Sequence, residues 1–454
     1  MQDILNGVEK IHFIGIGGSG MFPIVQILKQ KGYIISGSDN NESDIVRMER
    51  ELGIEVYMQQ KKENIKGKDL IIYTAAILKD NEELVAAKKS NIKTIERNDF
   101  LAYFTEQYSN TICVCGTHGK TTTTSLLTQI FIEGKKDPTA IIGGKLDLIK
   151  GYSRLGKTPN LICEACEFED HFLKLFPNTA VVLNIDNDHL EYFKNIENLK
   201  RSFNIFCEKA TDLIVYNGDD ENTKDALKYL DKKKISFGFF KDNDYFATNI
   251  VKEKKGKMKF SVCKGHEIIL KEVEINIPGK HNILNALASI VVSLENSVEK
   301  KHILKAIKKF KGAGRRFELI GVVNGVTVLD DYAHHPREIS ATLKALKSCG
   351  FHKIWVVHQP FTFSRTAMLK EEFKEALSLA DNVIITEILG SREKNTYGIS
   401  AKDLADMVPK GIYLKTQEEA KEFCLNNAKK GDVVITMGCG DIYKCAKMMV
   451  YGKY

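Results

Sequence analysis

Short apolar runs alternate with amphipathic segments along most of the chain, and this alternation predicts an α/β protein built on parallel sheets. Near the N-terminus the runs are Ile11–Ile14, Tyr33–Ser36 and Asp69–Tyr73, with a helix expected from Met21. Continuous apolar runs of this length are typical of strands that are covered on both faces. We therefore predict a small Rossmann-like domain over residues 1–107.

The middle of the chain again alternates short apolar runs with amphipathic segments, but the segments between the predicted strands differ from those of the first domain. Buried strands are predicted at Thr111–Val114, Leu161–Cys163 and Thr179–Ile185. A lysine-rich stretch from 232 to 280 alternates apolar and polar residues, which predicts meander strands, and a helix is expected at Ile283–Leu294. These elements predict a central α/β domain of the P-loop ATPase type over residues 108–313.

A third set of alternating strands and helices follows a short linker at Ala313–Arg316, and it predicts a Rossmann-like C-terminal domain over residues 314–454. The predicted elements are strands Gly325–Leu329, Lys353–Val357, Asn382–Thr386 and Val433–Met437, and helices Glu338–Lys347 and Lys370–Leu379.

Composition narrows the class of protein. The chain has 454 residues, of which 43% are hydrophobic and 28% charged, as expected for several globular domains. The net charge of +7 is small for this length, and lysines alternate with acids, so we expect no nucleic-acid partner. No apolar run approaches the roughly 18 residues of a membrane span, and residues 1–5 lack the start of a signal peptide, so a cytoplasmic protein without membrane insertion is expected.

Ten cysteines are scattered along the chain and mostly lie in apolar runs, which predicts reduced, buried thiols at those positions. Cys163 and Cys166 have C-x-x-C spacing, but no second pair or matching histidines complete a zinc site. A redox role for this pair is left open.

The first strand enters a glycine-rich loop with a dinucleotide-type fingerprint. Gly15-x-Gly17-x-x-Gly20 follows the strand, and Asp39 lies 19 residues after Gly20, where an acid commonly meets a ribose hydroxyl. Thr74 begins a loop of small residues at another strand end. Alone, this domain would suggest a nicotinamide-dependent oxidoreductase.

A second phosphate-binding motif follows the strand Thr111–Val114. The segment Gly116-Thr117-His118-Gly119-Lys120-Thr121-Thr122 stands between that strand and a helix, the context that a phosphate loop requires. Backbone N–H groups at the helix start would face a phosphate, Lys120 can reach the β- and γ-phosphates, and Thr121 can bind Mg²⁺. The motif predicts ATP as a cofactor.

Acidic residues and a histidine come directly after two other predicted strands of this domain. Glu164 follows the first, and Asp186–His189 follows the second. Because an unpaired buried carboxylate is costly, such groups need a cation, and nucleotide-bound Mg²⁺ would supply one. Glu164 and His189 are therefore candidate metal ligands. Asn282 and Asn285 are expected at the first turn of the helix after Pro278-Gly279.

The order of these motifs resembles the Mur ligases of peptidoglycan precursor synthesis over essentially the whole chain, and within them the branch that adds L-alanine to UDP-N-acetylmuramate. The residues that carry the resemblance are Gly15–Met21, Gly37–Asp39, Gly116–Thr123, Asn184–His189, Gly279–Asn282 with Asn285, Arg315–Glu318 and Asp330–Pro336.

The resemblance implies a role for each motif. The N-terminal loop would hold the UDP end of the acceptor, through Gly15, Gly17, Gly18, Ser19, Gly20, Asp39 and Thr74. ATP would be bound by Gly116, Thr117, His118, Gly119, Lys120, Thr121 and Thr122, with Asn282 and Asn285 at the adenine and Arg316 and Asp331 reaching from the C-terminal domain. Mg²⁺ would be held by Thr121, Glu164 and His189. Tyr332, His334 and Arg365 would face the incoming amino acid and the acceptor. The implied catalytic residues are Lys120, Glu164, His189, His334 and Arg365.

The implied reaction is amide-bond formation through an acyl phosphate. Relatives that add later residues carry a carbamylated lysine near the metal, at a position that matches Phe203 here. Two other functions stay open beside the oxidoreductase: a ligase that joins a preformed peptide to UDP-N-acetylmuramate, and a nucleotide-binding regulatory protein, which the presence of Lys120, Glu164 and His189 disfavours.

One loop departs from the family pattern. The alanine-adding branch usually reads Phe-Gln-Pro-His-x-Tyr-[Ser/Thr]-Arg-Thr, whereas this chain reads His358-Gln-Pro-Phe361-Thr-Phe-Ser-Arg365-Thr. Two interpretations remain: a neutral replacement, with His334 or His335 covering the role, or a relaxed preference among L-alanine, glycine and L-serine.

Overall fold

The computed structural model describes residues 3–253, 256–391 and 393–452. These described residues form 21 strands in three sheets, together with 16 α-helices. No helix among them is long and apolar enough to span a membrane. The predicted α/β class, with three mainly parallel sheets in succession, is confirmed.

The first sheet has the strand order β3-β2-β1-β4-β5, and its neighbouring strands all pair in parallel. The order reverses between β1 and β4, and the loops that follow these two strands are the Gly15–Gly20 loop and the loop at Thr74. Ligands bind at such a reversal point, outside the carboxyl ends of the strands. The strands of this first sheet are β1 (Lys10–Ile14), β2 (Ile34–Ser38), β3 (Glu55–Tyr57), β4 (Leu70–Tyr73) and β5 (Lys93–Glu96). The helices of this part of the chain are α1 (Phe22–Gln30), α2 (Asp44–Glu51), α3 (Glu82–Lys89) and α4 (Arg97–Glu106).

The second sheet has the order β15-β14-β13-β12-β11-β10-β6-β9-β7-β8. Strand β6 pairs in parallel with β10 on one side and β9 on the other, so the loops after all three strands lie at one edge. The strands are β6 (Asn110–Cys115), β7 (Thr139–Leu146), β8 (Gly151–Arg154), β9 (Asn160–Glu164), β10 (Thr179–Val182), β11 (Leu213–Asn217), β12 (Lys234–Gly238), β13 (Tyr245–Lys252), β14 (Met258–Lys264) and β15 (Glu267–Ile275). The helices are α5 (Lys120–Glu133), α6 (Leu190–Phe193), α7 (Ile196–Glu208), α8 (Glu221–Leu227), α9 (Lys280–Glu295) and α10 (Lys300–Lys309).

The third sheet has the order β16-β17-β21-β18-β19-β20, antiparallel only at β16–β17 among its described pairs. The loops after β17, β18 and β21 therefore share one edge. The strands are β16 (Glu318–Val323), β17 (Val326–Asp331), β18 (Ile354–His358), β19 (Asn382–Ile385), β20 (Gly411–Tyr413) and β21 (Val433–Met437). The helices are α11 (Pro336–Lys347), α12 (Phe363–Met368), α13 (Lys370–Leu377), α14 (Ala401–Met407), α15 (Gln417–Asn427) and α16 (Tyr443–Tyr451).

The chain divides into two compact units. One contains the residues up to Ala247 with Val262–Ile269 and Leu284–Ala306, and the other contains Thr248–Ser261, Leu270–Ile283 and the residues from Ile307 onward. The first sheet and strands β6–β12 of the second sheet share a unit. Helix α1 packs on β8 there: the Gln26 side chain accepts from the Ser153 N–H, and Ser153 Oγ donates to the Pro23 carbonyl. The boundaries at 107 and 313 stay a prediction.

Several predicted elements have slightly different bounds in the structure, and two of these differences concern the candidate site. Strand β10 ends at Val182 instead of Ile185, because the next residues turn into the phosphate loop: Thr117 N donates to the Asn184 carbonyl at 3.1 Å. Helix α9 begins at Lys280, three residues before the predicted start at Ile283, so Asn282 lies in its first turn and Asn285 in its second.

Candidate active site

The phosphate loop is held open by two glycines and one asparagine. Gly116 and Gly119 have φ angles of +139° and +86°, which residues with a side chain rarely adopt. Asn184, two residues after the end of β10, holds the loop by two hydrogen bonds. Its side chain accepts from His118 N at 2.8 Å and donates to the His118 carbonyl at 3.0 Å. The backbone at the start of α5 is therefore preorganised to receive a phosphate.

Lys120 lies folded against the loop and an acidic partner. Its Nζ donates to the carbonyls of Gly116 and Thr117, at 2.5 and 3.1 Å, and lies 2.9 Å from a carboxylate oxygen of Glu167. Burial opposes the charge on Lys120, but the carboxylates of Glu167 and Glu164 outweigh it and raise the pKa of Lys120 above its ordinary value. The amine is therefore a cation at neutral pH.

Glu167, which is 2% exposed, was not predicted as a site residue. The signal in the sequence was a second acid three residues after Glu164, but strand-end position alone did not show that it turns back toward Lys120.

Thr121 and Glu164 are brought together as predicted. Thr121 Oγ1 donates to one Glu164 oxygen at 3.0 Å, and the N–H of Gly143 donates to the other at 2.8 Å. A hydroxyl and a carboxylate are the oxygen ligands that Mg²⁺ prefers, so this donor set fits the ion.

His189 has a left-handed backbone (φ +54°), its ring lies 4.8 Å from Phe168, and its Nε2 is 3.8 Å from a carboxylate oxygen of Asp188. Among the described residues no group of three or more His, Cys, Asp or Glu side chains could hold a metal by itself. A magnesium ion here would take further ligands from phosphates and water, as is usual for this ion. Metal binding by His189 stays a prediction.

The two asparagines of α9 are both 6% exposed. Asn285 packs against the phosphate loop so closely that a Cβ added at Gly119 would lie 2.6 Å from its Oδ1. Asn282, in the second unit, donates to the Pro278 carbonyl at 2.7 Å.

The glycine loop of the first sheet is tied to β2 and β4. Gly15 N donates to the Ser38 carbonyl at 2.8 Å, and Gly17 N donates to an Asp39 carboxylate oxygen at 3.0 Å. A Cβ at Gly15 would lie 2.5 Å from Thr74. The Asp39 carboxylate, which was predicted to contact a ribose, therefore already accepts a hydrogen bond from the glycine loop. Ser19 is exposed at the tip of this loop.

Four predicted residues of the second unit lie close together around the end of β17: Arg316, Asp331, Tyr332 and His334. Asp331 accepts from the N–H groups of Phe317 and Ala333, at 2.9 and 2.7 Å, and burial raises its pKa to about 6. The Arg316 guanidinium lies 5.0 Å from the centre of the Tyr332 ring, and His334 Nδ1 lies 3.4 Å from Glu338.

Arg365 lies in α12, and the side chain of the N-cap residue Thr362, whose φ is +63°, accepts a hydrogen bond from Arg365 N. Phe361, which differs from the family pattern, is partly exposed and directly precedes Thr362. His358 is 0% exposed, its Nδ1 lies 3.0 Å from the Met437 carbonyl, and burial lowers its pKa to about 4. His358 is therefore a neutral core residue that does not replace a histidine at position 361.

Two further predictions concern buried residues. Phe203 is 0% exposed, with its ring 5.1 Å from Phe172, so this position is apolar core. Cys163 is also 0% exposed, and burial raises its pKa to about 12, which disfavours redox chemistry at the C-x-x-C pair.

The fold and these loops define an α/β protein with two glycine-rich loops, each between a strand and a helix, on different sheets. Comparison with known proteins gives three family matches in chain order: the Mur ligase family, catalytic domain at residues 10–109, the Mur ligase middle domain at 114–293, and the Mur ligase, glutamate ligase domain at 315–440.

Full-length relatives give the same result. The chain is 42% identical to the UDP-N-acetylmuramate–L-alanine ligase of Clostridium tetani over 99% of both chains, and 44% identical to that of Caldicellulosiruptor saccharolyticus over 98% of both. The crystal structure of UDP-N-acetylmuramate-alanine ligase from Thermotoga maritima superposes with a TM-score of 0.85, at 28% identity, over 97% of this chain and 98% of that one. The chain belongs to the Mur ligase family, whose members are ATP-dependent ligases. The oxidoreductase alternative is thereby excluded.

Proposed function

We propose that this chain joins L-alanine to the lactyl carboxylate of UDP-N-acetylmuramate, at the expense of ATP, in peptidoglycan precursor synthesis. The observation that carries the proposal is the 42–44% identity, over nearly the full length of both chains, to relatives that bear the name of this activity. The phosphate loop with Lys120 charged and with Thr121 beside Glu164 supports it, since a regulatory protein would not need this arrangement.

The proposed division of labour follows the two phosphate-binding loops. The Gly15–Gly20 loop with Asp39 and Thr74 would hold the UDP end of the acceptor, and Gly116–Thr122 would hold ATP. Asn282, Asn285, Arg316 and Asp331 would contact the adenosine part. Tyr332, His334 and Arg365 would receive the amino acid, whose carboxylate Arg365 can grip through two parallel hydrogen bonds.

The first chemical step must overcome repulsion between anions. The lactyl carboxylate attacks the γ-phosphorus of ATP, the bond to the β,γ-bridging oxygen breaks, and ADP leaves with the electron pair. At 4 Å two unit negative charges repel by about 4 kcal/mol at an effective dielectric of 20. Lys120 and the N–H groups at the start of α5 oppose this repulsion. Mg²⁺, when bound at Thr121, Glu164 and His189, would neutralise further charge on the phosphates.

The second step forms the amide. The neutral amine of L-alanine attacks the carbonyl carbon of the acyl phosphate and forms a tetrahedral intermediate. The bond between that carbon and the phosphate oxygen then breaks, and inorganic phosphate leaves with the proton that the nitrogen loses. An acyl phosphate is needed because a free carboxylate is a poor electrophile.

Phosphate release tests the proposal. Purified protein is given ATP, Mg²⁺ and UDP-N-acetylmuramate with single amino acids or a preformed tripeptide. We expect phosphate release with L-alanine to exceed that with the tripeptide. Release that requires the tripeptide would instead support the peptide-joining ligase, and release without UDP-N-acetylmuramate would refute both.

His189→Ala should raise the magnesium concentration needed for half-maximal activity severalfold, because one proposed ligand is lost while Thr121 and Glu164 remain. The measurement is a magnesium titration of phosphate release. His266→Ala, at an exposed position, is the matched control. An unchanged titration curve with full activity would remove His189 from the metal site.

Phe361→His tests the departure from the family pattern. A change of about one methylene in a pocket alters discrimination by only about 1–3 kcal/mol, so we expect the native chain to show a relaxed preference and the variant a sharper one. The measurement is kcat/KM for L-alanine, glycine and L-serine in both proteins. Equal margins for L-alanine in the two would make Phe361 a neutral replacement.

A further inference from the structure

Arg97, the first residue of α4, contacts the glycine loop of the first sheet. Its Nε donates to the Gly20 carbonyl at 3.0 Å, and its Nη1 donates to Asn98 Oδ1 at 2.6 Å. A Cβ added at Gly20 would lie 3.3 Å from the guanidinium carbon. One edge of this side chain is therefore fixed against the loop proposed to hold the acceptor.

The same guanidinium faces the second sheet. Arg97 lines a small recess together with Asn98, Glu164, Cys166 and His171. Glu164 is the carboxylate that accepts from Thr121 on the phosphate loop. Within this compact unit, Arg97 thus stands between the two proposed nucleotide sites.

The charge of Arg97 is poorly compensated. Among the described residues it forms no ion pair, and no acceptor for its Nη2 is found. Burial lowers the pKa of Arg97, and the nearby carboxylates of Glu164 and Glu96 offset this only in part. A partly buried cation whose hydrogen-bond partners are all neutral is costly, and an anion in the recess would lower that cost.

We propose that Arg97 binds the lactyl carboxylate of the acceptor and presents it to the γ-phosphate of ATP, an inference that rests on the proposed function. The guanidinium has the planar fork that matches a carboxylate. Lys120, and Mg²⁺ when bound, would supply positive charge on the triphosphate side. Arg97 supplies a cation on the acceptor side, in the same compact unit as Lys120.

Two simpler roles predict different behaviour. If Arg97 only braces the Gly20 carbonyl, or binds the diphosphate of UDP, its loss weakens every UDP-sugar equally. If it binds the lactyl carboxylate, its loss weakens only acceptors that carry that group. UDP-N-acetylglucosamine shares the nucleotide, diphosphate and amino sugar but lacks the lactyl carboxylate, so it separates the two cases.

The experiment is calorimetric titration of the full chain, without ATP, using UDP-N-acetylmuramate and UDP-N-acetylglucosamine. We expect Arg97→Met to lose at least tenfold in affinity for UDP-N-acetylmuramate and to keep its affinity for UDP-N-acetylglucosamine. Arg97→Lys, which keeps the charge without the fork, should lose less. Arg154→Met, at an arginine paired with Asp137, is the matched control and should change neither affinity.

Equal losses for both ligands, or no loss for UDP-N-acetylmuramate, would overturn the role of Arg97. If Arg97→Met does not fold, Arg97→Lys decides by the same comparison. Failure of the proposed function would look different: the native chain would then release no phosphate with L-alanine and UDP-N-acetylmuramate, whatever the titrations of the variants show.

Discussion

Replacing Lys120 with alanine is expected to lower turnover at least 100-fold, because the variant loses the cation that faces the β- and γ-phosphates. Such a loss corresponds to about 3 kcal/mol of transition-state stabilisation, within the range found when one preorganised charge-stabilising group is removed. Lys120 already lies at the phosphate loop, held by two loop carbonyls and Glu167. Its charge therefore needs little reorganisation to reach a phosphate.

The measurement is phosphate release at saturating substrates, with circular dichroism to show that the variant is folded. Lys224→Ala serves as the control, since Lys224 is exposed and pairs only with Glu221 among the described residues. A Lys120→Ala variant with near-normal phosphate release would remove the phosphate loop from the chemistry.

Gly17→Val is expected to raise the apparent Kd for UDP-N-acetylmuramate at least tenfold, about 1.4 kcal/mol, while ATP binding is unchanged. A Cβ at Gly17 would lie 2.7 Å from Val46 and 3.0 Å from the Asp39 carboxylate. The valine must therefore displace both α2 and the acid that holds the loop. Overpacking of this kind typically costs about 1–3 kcal/mol.

Separate titrations with UDP-N-acetylmuramate and with an ATP analogue distinguish the two sites in this variant. Loss of ATP binding with the UDP-sugar affinity retained would reverse the assignment of the two loops.

Sequence patterns were sufficient to predict the parts of the candidate site that depend on local geometry. The phosphate loop requires a strand, two glycines and a helix in immediate succession, and β6, Gly116, Gly119 and α5 supply them in that order. The neighbouring loops after β9 and β10 could also be anticipated, since acids at the ends of buried parallel strands meet at one edge.

Contacts between distant segments could not be predicted in this way. Glu167 reaches Lys120 across 47 residues of sequence, and Arg97 reaches Gly20 across 77. Neither residue belongs to a motif, and only the packing of neighbouring loops and of the first residue of α4 against the Gly15–Gly20 loop reveals the contact. His358 shows the reverse case: the sequence places it near a pocket motif, but its position at the end of β18 buries it in the core.

Transfer of an oxygen isotope tests the central claim most directly. UDP-N-acetylmuramate labelled with ¹⁸O in both lactyl carboxylate oxygens is converted with ATP and L-alanine, and the inorganic phosphate is analysed by mass. If the carboxylate attacks the γ-phosphorus and the acyl phosphate is then opened by the amine, each phosphate released carries one ¹⁸O atom. Phosphate without ¹⁸O, formed together with the alanyl product, would contradict the acyl-phosphate route and the roles proposed for Lys120 and Arg97.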